Sequence, residues 1–227
     1  MNVVDDSPPA VVCFPGSVTF NGETMIPLVA DDLVDADDNC GIESIVLSPN
    51  VITCEQVGQN VPVTVSVKDV NDNVNTCNTT VQVLGLPCGW KNISGSVGCG
   101  SAVSFASATG VWTATATNCY YDTPYTADAL LFAQRTLCGN GSITARVTNI
   151  TGTALGLACI IMRETTALGS KKVQMMTNLG NFTRREVRTV TNGNAFPSQT
   201  ITYNRYWLRL VRAGNQFVGY VSPNGQT

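Results

Sequence analysis

Valine occupies every second position across residues 61–67, and this alternation is the strongest constraint that the sequence places on the fold. Successive side chains of a β-strand point to opposite faces, so a period of two predicts a strand with one buried face. Turn-forming residues follow at 69–73, and alternation resumes from Thr76 to Leu84. The two runs together predict a β-hairpin.

Three shorter extended segments precede the hairpin, at Ala10–Phe14, Thr24–Val29 and Ser44–Leu47. The residues between them are rich in Pro, Asp, Asn and Gly, which favour turns. No helical period occurs in residues 1–87. Several short strands in a segment of this length predict an antiparallel sandwich of the immunoglobulin type.

Residues 88–227 also contain strand patterns without a helical period, separated by turns such as Asn140-Gly141 and Asn192-Gly193. Nine strands over this length predict a larger two-sheet sandwich of the jelly-roll kind, so the whole chain is expected to be all-β. The nine predicted strands are Ser101–Phe105, Val111–Ala116, Ala129–Ala133, Ser142–Asn149, Gly156–Met162, Lys172–Thr177, Thr183–Val190, Tyr206–Arg212 and Gln216–Val221.

Charge is divided unequally between the two segments. Residues 1–87 contain twelve acidic residues and one basic residue, Lys68, whereas residues 88–227 contain twelve basic and four acidic residues. The segments therefore carry −11 and +8, which together give the net charge of −3. A single mixed core gives no reason for such sorting, so we interpret residues 1–87 and 88–227 as two domains.

Nine cysteines and no histidine indicate disulfides rather than a zinc site. The cysteines are 11 to 27 residues apart, and no C-x-x-C pair occurs. Such usage is typical of an oxidising, extracytoplasmic compartment. Within residues 88–227 we expect bridges Cys119–Cys138 and Cys88–Cys99, and we expect Cys159, which stands among apolar neighbours, to be a buried free thiol.

The first segment resembles the hyalin repeat (HYR) domain over its whole length. The matching residues are Asp5-Asp6-Ser7-Pro8-Pro9, Val12-Cys13, Asp38-Asn39-Cys40-Gly41-Ile42 and the Val63–Cys77 hairpin. The resemblance implies an immunoglobulin-like spacer from a tandem array on an extracellular adhesion protein. We expect four of its cysteines to pair internally, with Cys13–Cys54 and Cys40–Cys77 preferred among the three possible connectivities.

The second segment resembles the concanavalin A-like lectin/glucanase superfamily. Three blocks match in order and spacing: Gly141–Val147, Cys159–Glu164 and Tyr206–Ser222. The resemblance implies a secreted β-sandwich module, in which Ser-Pro-Asn-Gly is normally followed by a Trp and further strands. Because the chain stops at Gln226-Thr227, we expect this sandwich to continue beyond the sequence or to be completed by another chain.

The second segment lacks the residues that a glycosidase or a Ser-His-Asp catalytic site requires. Glycosidases need two carboxylates about 5–5.5 Å or about 6.5–9.5 Å apart, and catalytic members of the superfamily carry a Glu-x-Asp-x-x-Glu pattern. The four acids Asp122, Asp128, Glu164 and Glu186 are not so arranged, and Glu164 beside Arg163 suggests a structural ion pair. The absence of histidine excludes a Ser-His-Asp triad. We therefore expect no enzyme activity.

A run of five aspartates in the first segment is a candidate calcium site, because calcium takes oxygen ligands. The spacing fits no EF-hand loop, and the alternative is a solvated loop in which Asp serves as a turn former. The sequence favours this alternative. The candidate ligands are Asp31, Asp32, Asp35, Asp37 and Asp38.

Aromatic residues in the second segment are candidates for carbohydrate binding, since sugar rings stack on aromatic faces. The alternative, which the sequence favours, is that they are structural residues of a sandwich. The candidates are Trp112, Tyr120, Tyr121, Asp122 and Tyr125. The basic residues of this segment accompany no nucleic-acid motif, so a polyanionic surface polysaccharide or an acidic protein is the expected partner.

No signal peptide follows Met1, and no apolar run is long enough to span a membrane. We therefore expect a segment of a secreted, non-catalytic modular protein, either a cell-surface adhesin or an extracellular filament protein. The alternatives are a carbohydrate-binding appendage of a secreted polysaccharide hydrolase and a structural subunit of a polymer. We further expect copies to associate head-to-tail, with Asn2-Val3-Val4 donated to an open sheet edge.

Overall fold

The structure is a computed structural model that describes residues 5–94, 100–117, 119, 126–152, 156–179, 182–201 and 207–226. These residues form an all-β protein, with two short 3-10 segments at Ala30–Asp32 and Cys54–Gln56. The chain divides into two compact units. The first comprises Met1–Ile93, Ala102–Thr115 and Phe132–Arg135, and the second comprises Ser94–Ser101, Ala116–Leu131 and Thr136–Thr227. No helix in the described residues is long and apolar enough to cross a membrane.

The first unit contains a four-stranded sheet and several strand pairs. The sheet has the order β2-β8-β7-β5, while β1 pairs with β4, β3 with β6, β9 with β12 and β10 with β11. The strands are β1 (Ala10–Cys13), β2 (Gly16–Phe20), β3 (Met25–Pro27), β4 (Val34–Asp37), β5 (Ile42–Ser48), β6 (Val51–Thr53), β7 (Asn60–Asp69), β8 (Val74–Gly85), β9 (Lys91–Ser94), β10 (Gly100–Ala106), β11 (Val111–Thr117) and β12 (Leu131–Gln134).

The predicted hairpin is confirmed as β7 paired antiparallel with β8. Its alternating valines point into the core of the unit, where Val65 and Val67 are fully buried together with Val81 and Val83 of β8. Phe20 of β2 belongs to the same core. The period of two in the sequence therefore identifies the buried face correctly.

The sandwich was expected to be antiparallel, but β2 pairs with β8 in parallel. At the end of this pairing Gly85 has a φ of +104°, and a Cβ atom there would lie 2.1 Å from the Phe20 carbonyl oxygen. Only glycine tolerates both the backbone conformation and this close approach. The parallel register therefore depends on Gly85.

The second unit contains two sheets that bury apolar side chains between them. One has the order β13-β18-β19 and the other β14-β15-β16-β17. Leu208 and Leu210 of the first sheet pack with Ile160, Val173 and Met175 of the second. The strands are β13 (Gly141–Arg146), β14 (Leu157–Arg163), β15 (Lys172–Asn178), β16 (Thr183–Arg188), β17 (Phe196–Ile201), β18 (Trp207–Ala213) and β19 (Gln216–Ser222).

Candidate functional site

The cysteine pairing of the first unit differs from the expected one. Cys13 is bonded to Cys77 and Cys54 to Cys88, with Cα–Cα distances of 6.0 and 5.1 Å. The predicted bridges Cys13–Cys54 and Cys40–Cys77 are therefore wrong. The reason is the strand period: Cys77 lies on the inward face of β8 and packs with Cys13 against the core, whereas Cys40 is exposed beyond the acidic run.

The bridges expected in the second segment are also wrong. Cys88 is bonded within the first unit, and Cys99 lies outside the described residues. Cys119 is disulfide-bonded, but Cys138 is a free, exposed thiol and cannot be its partner. Cys159 is free as expected, yet it is exposed because the neighbouring Ile160, rather than Cys159, faces the apolar core of the second unit.

The five candidate calcium ligands do not converge on one point. Asp31 and Asp32 lie in the 3-10 segment, and Asp35 and Asp37 project from the exposed face of β4, which was expected to be loop. Only Asp38 belongs to a group of three possible ligands in the described part of the chain, together with Asp5 and Cys40. Their ligand atoms lie within 4.8 Å of one another.

The acidic neighbours of Cys40 change the ionisation of its thiol. A hydrogen bond with Asp5, together with the nearby charges of Asp5, Asp38 and Asp69, raises the pKa of the Cys40 thiol above its ordinary value. The thiol is therefore deprotonated less readily than an ordinary cysteine, which lowers its reactivity as a nucleophile. Asp38 is also occupied locally, since its Oδ1 accepts a hydrogen bond from the Cys40 backbone N–H at 2.9 Å.

Asp69, at the end of β7, organises the hairpin turn. Its carboxylate accepts hydrogen bonds at 2.8 Å from the backbone N–H groups of Asn71 and Asn73 and from the Asn73 side-chain amide. Burial acts to raise the pKa of Asp69, but these hydrogen bonds outweigh it and hold the pKa below its ordinary value. The Asn73 amide also reaches the Asp5 carbonyl at 3.2 Å, which ties the incoming chain to the turn.

The aromatic candidates are divided between described and undescribed residues. Tyr120, Tyr121, Asp122 and Tyr125 lie outside the described residues. Trp112 of β11 contacts Trp90 and Phe105, with ring centroids 4.9 Å apart in both cases and the rings tilted. Its side chain remains 37% exposed. The structure thus places Trp112 in an aromatic cluster of the first unit, together with residues 7 and 22 positions earlier in the sequence.

A buried charge network in the second unit was missed altogether. Asp128 is 1% exposed, and its Oδ1 lies 2.8 Å from Lys172 Nζ and 2.8 Å from Arg188 Nη2. Arg163 binds the other carboxylate oxygen. Three cations therefore share one carboxylate.

Glu186 extends the network along the same face of β15 and β16. Its Oε1 lies 3.1 Å from Lys172 Nζ and accepts a hydrogen bond from Gln174 Nε2 at 2.9 Å, while Oε2 pairs with Arg184 Nη2 at 3.1 Å. Glu164 was expected to pair with Arg163, but it pairs instead with the exposed Lys171 at 3.3 Å.

The network suits a structural role better than acid catalysis. Burial acts to raise the pKa of Asp128, but hydrogen bonds from Arg188 and Lys172 outweigh it and lower the pKa below the ordinary value. A general acid in a glycosidase needs the opposite, a carboxyl group whose pKa is raised.

Comparisons with known proteins add no assignment: no family model, no curated protein and no solved structure matches the chain.

Proposed function

We propose that this chain is a non-catalytic segment of a secreted modular protein, either a cell-surface adhesin or an extracellular filament protein. Residues 1–87 act as an HYR-like, immunoglobulin-type spacer, and residues 88–227 as a concanavalin A-like jelly-roll sandwich. The all-β structure and the disulfides are consistent with an extracellular location.

One observation carries the spacer role: the disulfides of the first unit shorten the covalent path through it. From Cys13 the path crosses to Cys77, which bypasses a sequence separation of 64 residues, and then follows about 11 residues to Cys88. A chain extends by at most about 3.3–3.6 Å per residue, so this path reaches about 40 Å. Without the bridges about 75 residues would extend to about 260 Å.

The segment that remains extensible is itself held on both sides. Residues Cys77–Gly85 belong to β8, which is hydrogen-bonded to β7 along one edge and to β2 along the other. Tension on the unit must therefore separate β8 from both of its neighbours, β7 and β2, before it lengthens the unit by even this small amount. A spacer that stays short under tension keeps a displayed domain at a constant distance from its surface.

Single-molecule force spectroscopy on the chain between reporter domains tests this proposal. We expect the oxidised first unit to release at most about 40 Å between Cys13 and Cys88, and the Cys54→Ala/Cys88→Ala variant to release the same length. Cys13→Ala/Cys77→Ala leaves a path of about 41 residues to Cys54 and should release up to about 140 Å. Removal of both bridges should release up to about 260 Å.

Cys40→Ala is the matched control, because Cys40 is a free thiol and lies inside the bypassed segment. It should leave the released length unchanged. A release of about 260 Å from the oxidised wild-type unit would refute the spacer proposal, since the bridges would then not carry the tension.

The aromatic cluster favours a second function, glycan contact, and with it the alternative of a carbohydrate-binding appendage of a secreted hydrolase. The exposed part of Trp112, supported by Trp90 and Phe105, offers a ring surface for a sugar. Titration of the chain with β-linked and α-linked oligosaccharides, followed by tryptophan fluorescence, tests it. Binding that is lost in Trp112→Ala but retained in Trp207→Phe would support glycan contact, and an unchanged spectrum with every sugar would contradict it.

A further inference from the structure

The outer face of the β13-β18-β19 sheet carries two arginines, Arg146 and Arg209. Arg146 of β13 and Arg209 of β18 are both exposed, and within the described residues neither forms an ion pair. The register places Arg209 opposite Tyr220, which is 46% exposed. We call this surface the basic sheet face and define it as Thr144, Arg146, Arg209, Val218 and Tyr220.

The outer face of the β1-β4 pair in the first unit has the opposite character. Asp35 and Asp37 are exposed, and the register places them opposite Val12 and Ala10. The single basic residue of residues 1–87, Lys68, cannot neutralise them because it already pairs with Glu43 and Asp72. We call this surface the acidic sheet face and define it as Ala10, Val12, Asp35 and Asp37.

The two faces match in charge spacing as well as in sign. Asp35 and Asp37 are two residues apart on one strand, which separates their Cα atoms by about 7 Å. Arg146 lies opposite Trp207, two residues from Arg209 on the neighbouring strand, so the two arginine Cα atoms are about 8 Å apart. Each face also exposes apolar side chains beside its charges, namely Val12 on one and Val218 on the other.

We propose that the acidic sheet face of one copy docks on the basic sheet face of another copy, so that the chains associate head-to-tail. The partner is a second copy because this chain itself supplies an exposed complement of the required sign and spacing. A contact between two different faces is heterologous, so it propagates into a ring or an open filament. The proposal is independent of the spacer role of the first unit, and each can fail without the other.

The contact is expected to be weak in solution. Exposed ion pairs are screened by salt over about 8–10 Å, and each contributes little. A dissociation constant in the range of about 10 μM to 1 mM is therefore expected at low salt. Tethering on a surface raises the local concentration and makes such a contact effective.

Charge reversal tests the inference by analytical ultracentrifugation of the full chain from about 10 μM to 1 mM at low salt. Asp35→Lys/Asp37→Lys and Arg146→Glu/Arg209→Glu should each weaken self-association at least tenfold. Mixing the two variants should restore it as an alternating 1:1 assembly, because each reversed face then meets a face of opposite sign. High salt should weaken the wild-type assembly.

Lys91→Glu/Lys171→Glu is the matched control, since it makes the same change in net charge as the arginine variant at other exposed positions. It should retain self-association. Three results would overturn the inference: a wild-type monomer at 1 mM and low salt, equal weakening in the control, or a 1:1 mixture of reversed variants that stays monomeric. Circular dichroism confirms that each variant is folded before the comparison.

Discussion

Replacing Asp128 by Asn tests whether the buried network stabilises the second unit. The substitution keeps the shape of the side chain but removes the carboxylate that Arg163, Lys172 and Arg188 share. Breaking a buried pair by removing one partner costs about 3–5 kcal/mol, because the remaining charges stay buried without compensation. A small domain has a total free energy of unfolding of about 5–15 kcal/mol, so the effect should be large.

Urea unfolding followed by hydrogen exchange of peptides from β15 and β16 measures this effect in the second unit. With a denaturant slope of about 1–3 kcal/mol per molar urea, we expect the midpoint to fall by about 2 M. Glu164→Gln is the matched control, because its carboxylate pairs with an exposed lysine and such pairs contribute about 0–1 kcal/mol. A decrease of less than about 0.5 M in the urea midpoint of the Asp128→Asn variant would refute the reasoning.

The stabilisation that Asp128 provides should also depend on pH. The pKa of Asp128 in the folded protein lies below its ordinary value of 3.8, so the unfolded chain binds the proton more readily. The stabilisation is therefore present above about pH 4 and is lost as the pH falls through the lower, folded pKa. The difference in unfolding free energy between wild type and Asp128→Asn should shrink over that range, and a constant difference down to pH 2 would contradict this.

Three further predictions concern the first unit. Val65→Ala should lower its free energy of unfolding, measured by urea titration, by about 2–3 kcal/mol, because two buried methyl groups are lost from a packed core. Val46→Ala on the exposed face should change it by less than about 0.5 kcal/mol. Similar costs for the two variants would refute the core assignment. Cys40 should be alkylated more slowly at pH 8 than in an Asp5→Asn variant, as followed by peptide mass spectrometry, because Asp5 raises the pKa of the thiol, and equal rates would contradict that cause. Millimolar calcium should leave the melting temperature unchanged, since the aspartates of residues 31–38 do not converge; a calorimetric rise that a chelator reverses would establish a site.

The sequence predicted most strands because their side chains alternate. All nine strands expected after residue 88 occur within a few residues of their predicted positions, but Lys91–Ser94 and Phe196–Ile201 were missed. The first is short, and the second contains Pro197 and lacks alternation. Strand β4 was missed because its acidic residues favour a turn, although Val34 and Ala36 face inward.

The candidate sites were less predictable because they depend on contacts between distant segments. The inward position of Cys77 could have been read from its even spacing to Val81 and Val83, which would have excluded an exposed partner. Polar residues occupy every second position of β15 and β16, at Lys172 and Gln174 and at Arg184, Glu186 and Arg188, a spacing typical of a face that meets solvent. Lys172 and Arg188 are nevertheless buried and pair with Asp128, which is more than 40 residues away in the sequence, and no local pattern predicts that contact.

The parallel pairing of β2 with β8 has a consequence for the order in which the first unit is built. The β7–β8 hairpin closes through a short turn, whereas β2 must find a partner about 65 residues further along the chain. During synthesis Cys13, Cys40 and Cys54 emerge before Cys77 and Cys88, so every bridge available at first is non-native. Oxidative folding of this unit should therefore depend on thiol–disulfide exchange. The thiol of Cys40, which is free in the folded unit, competes with Cys13 and Cys54 for bridge formation during maturation.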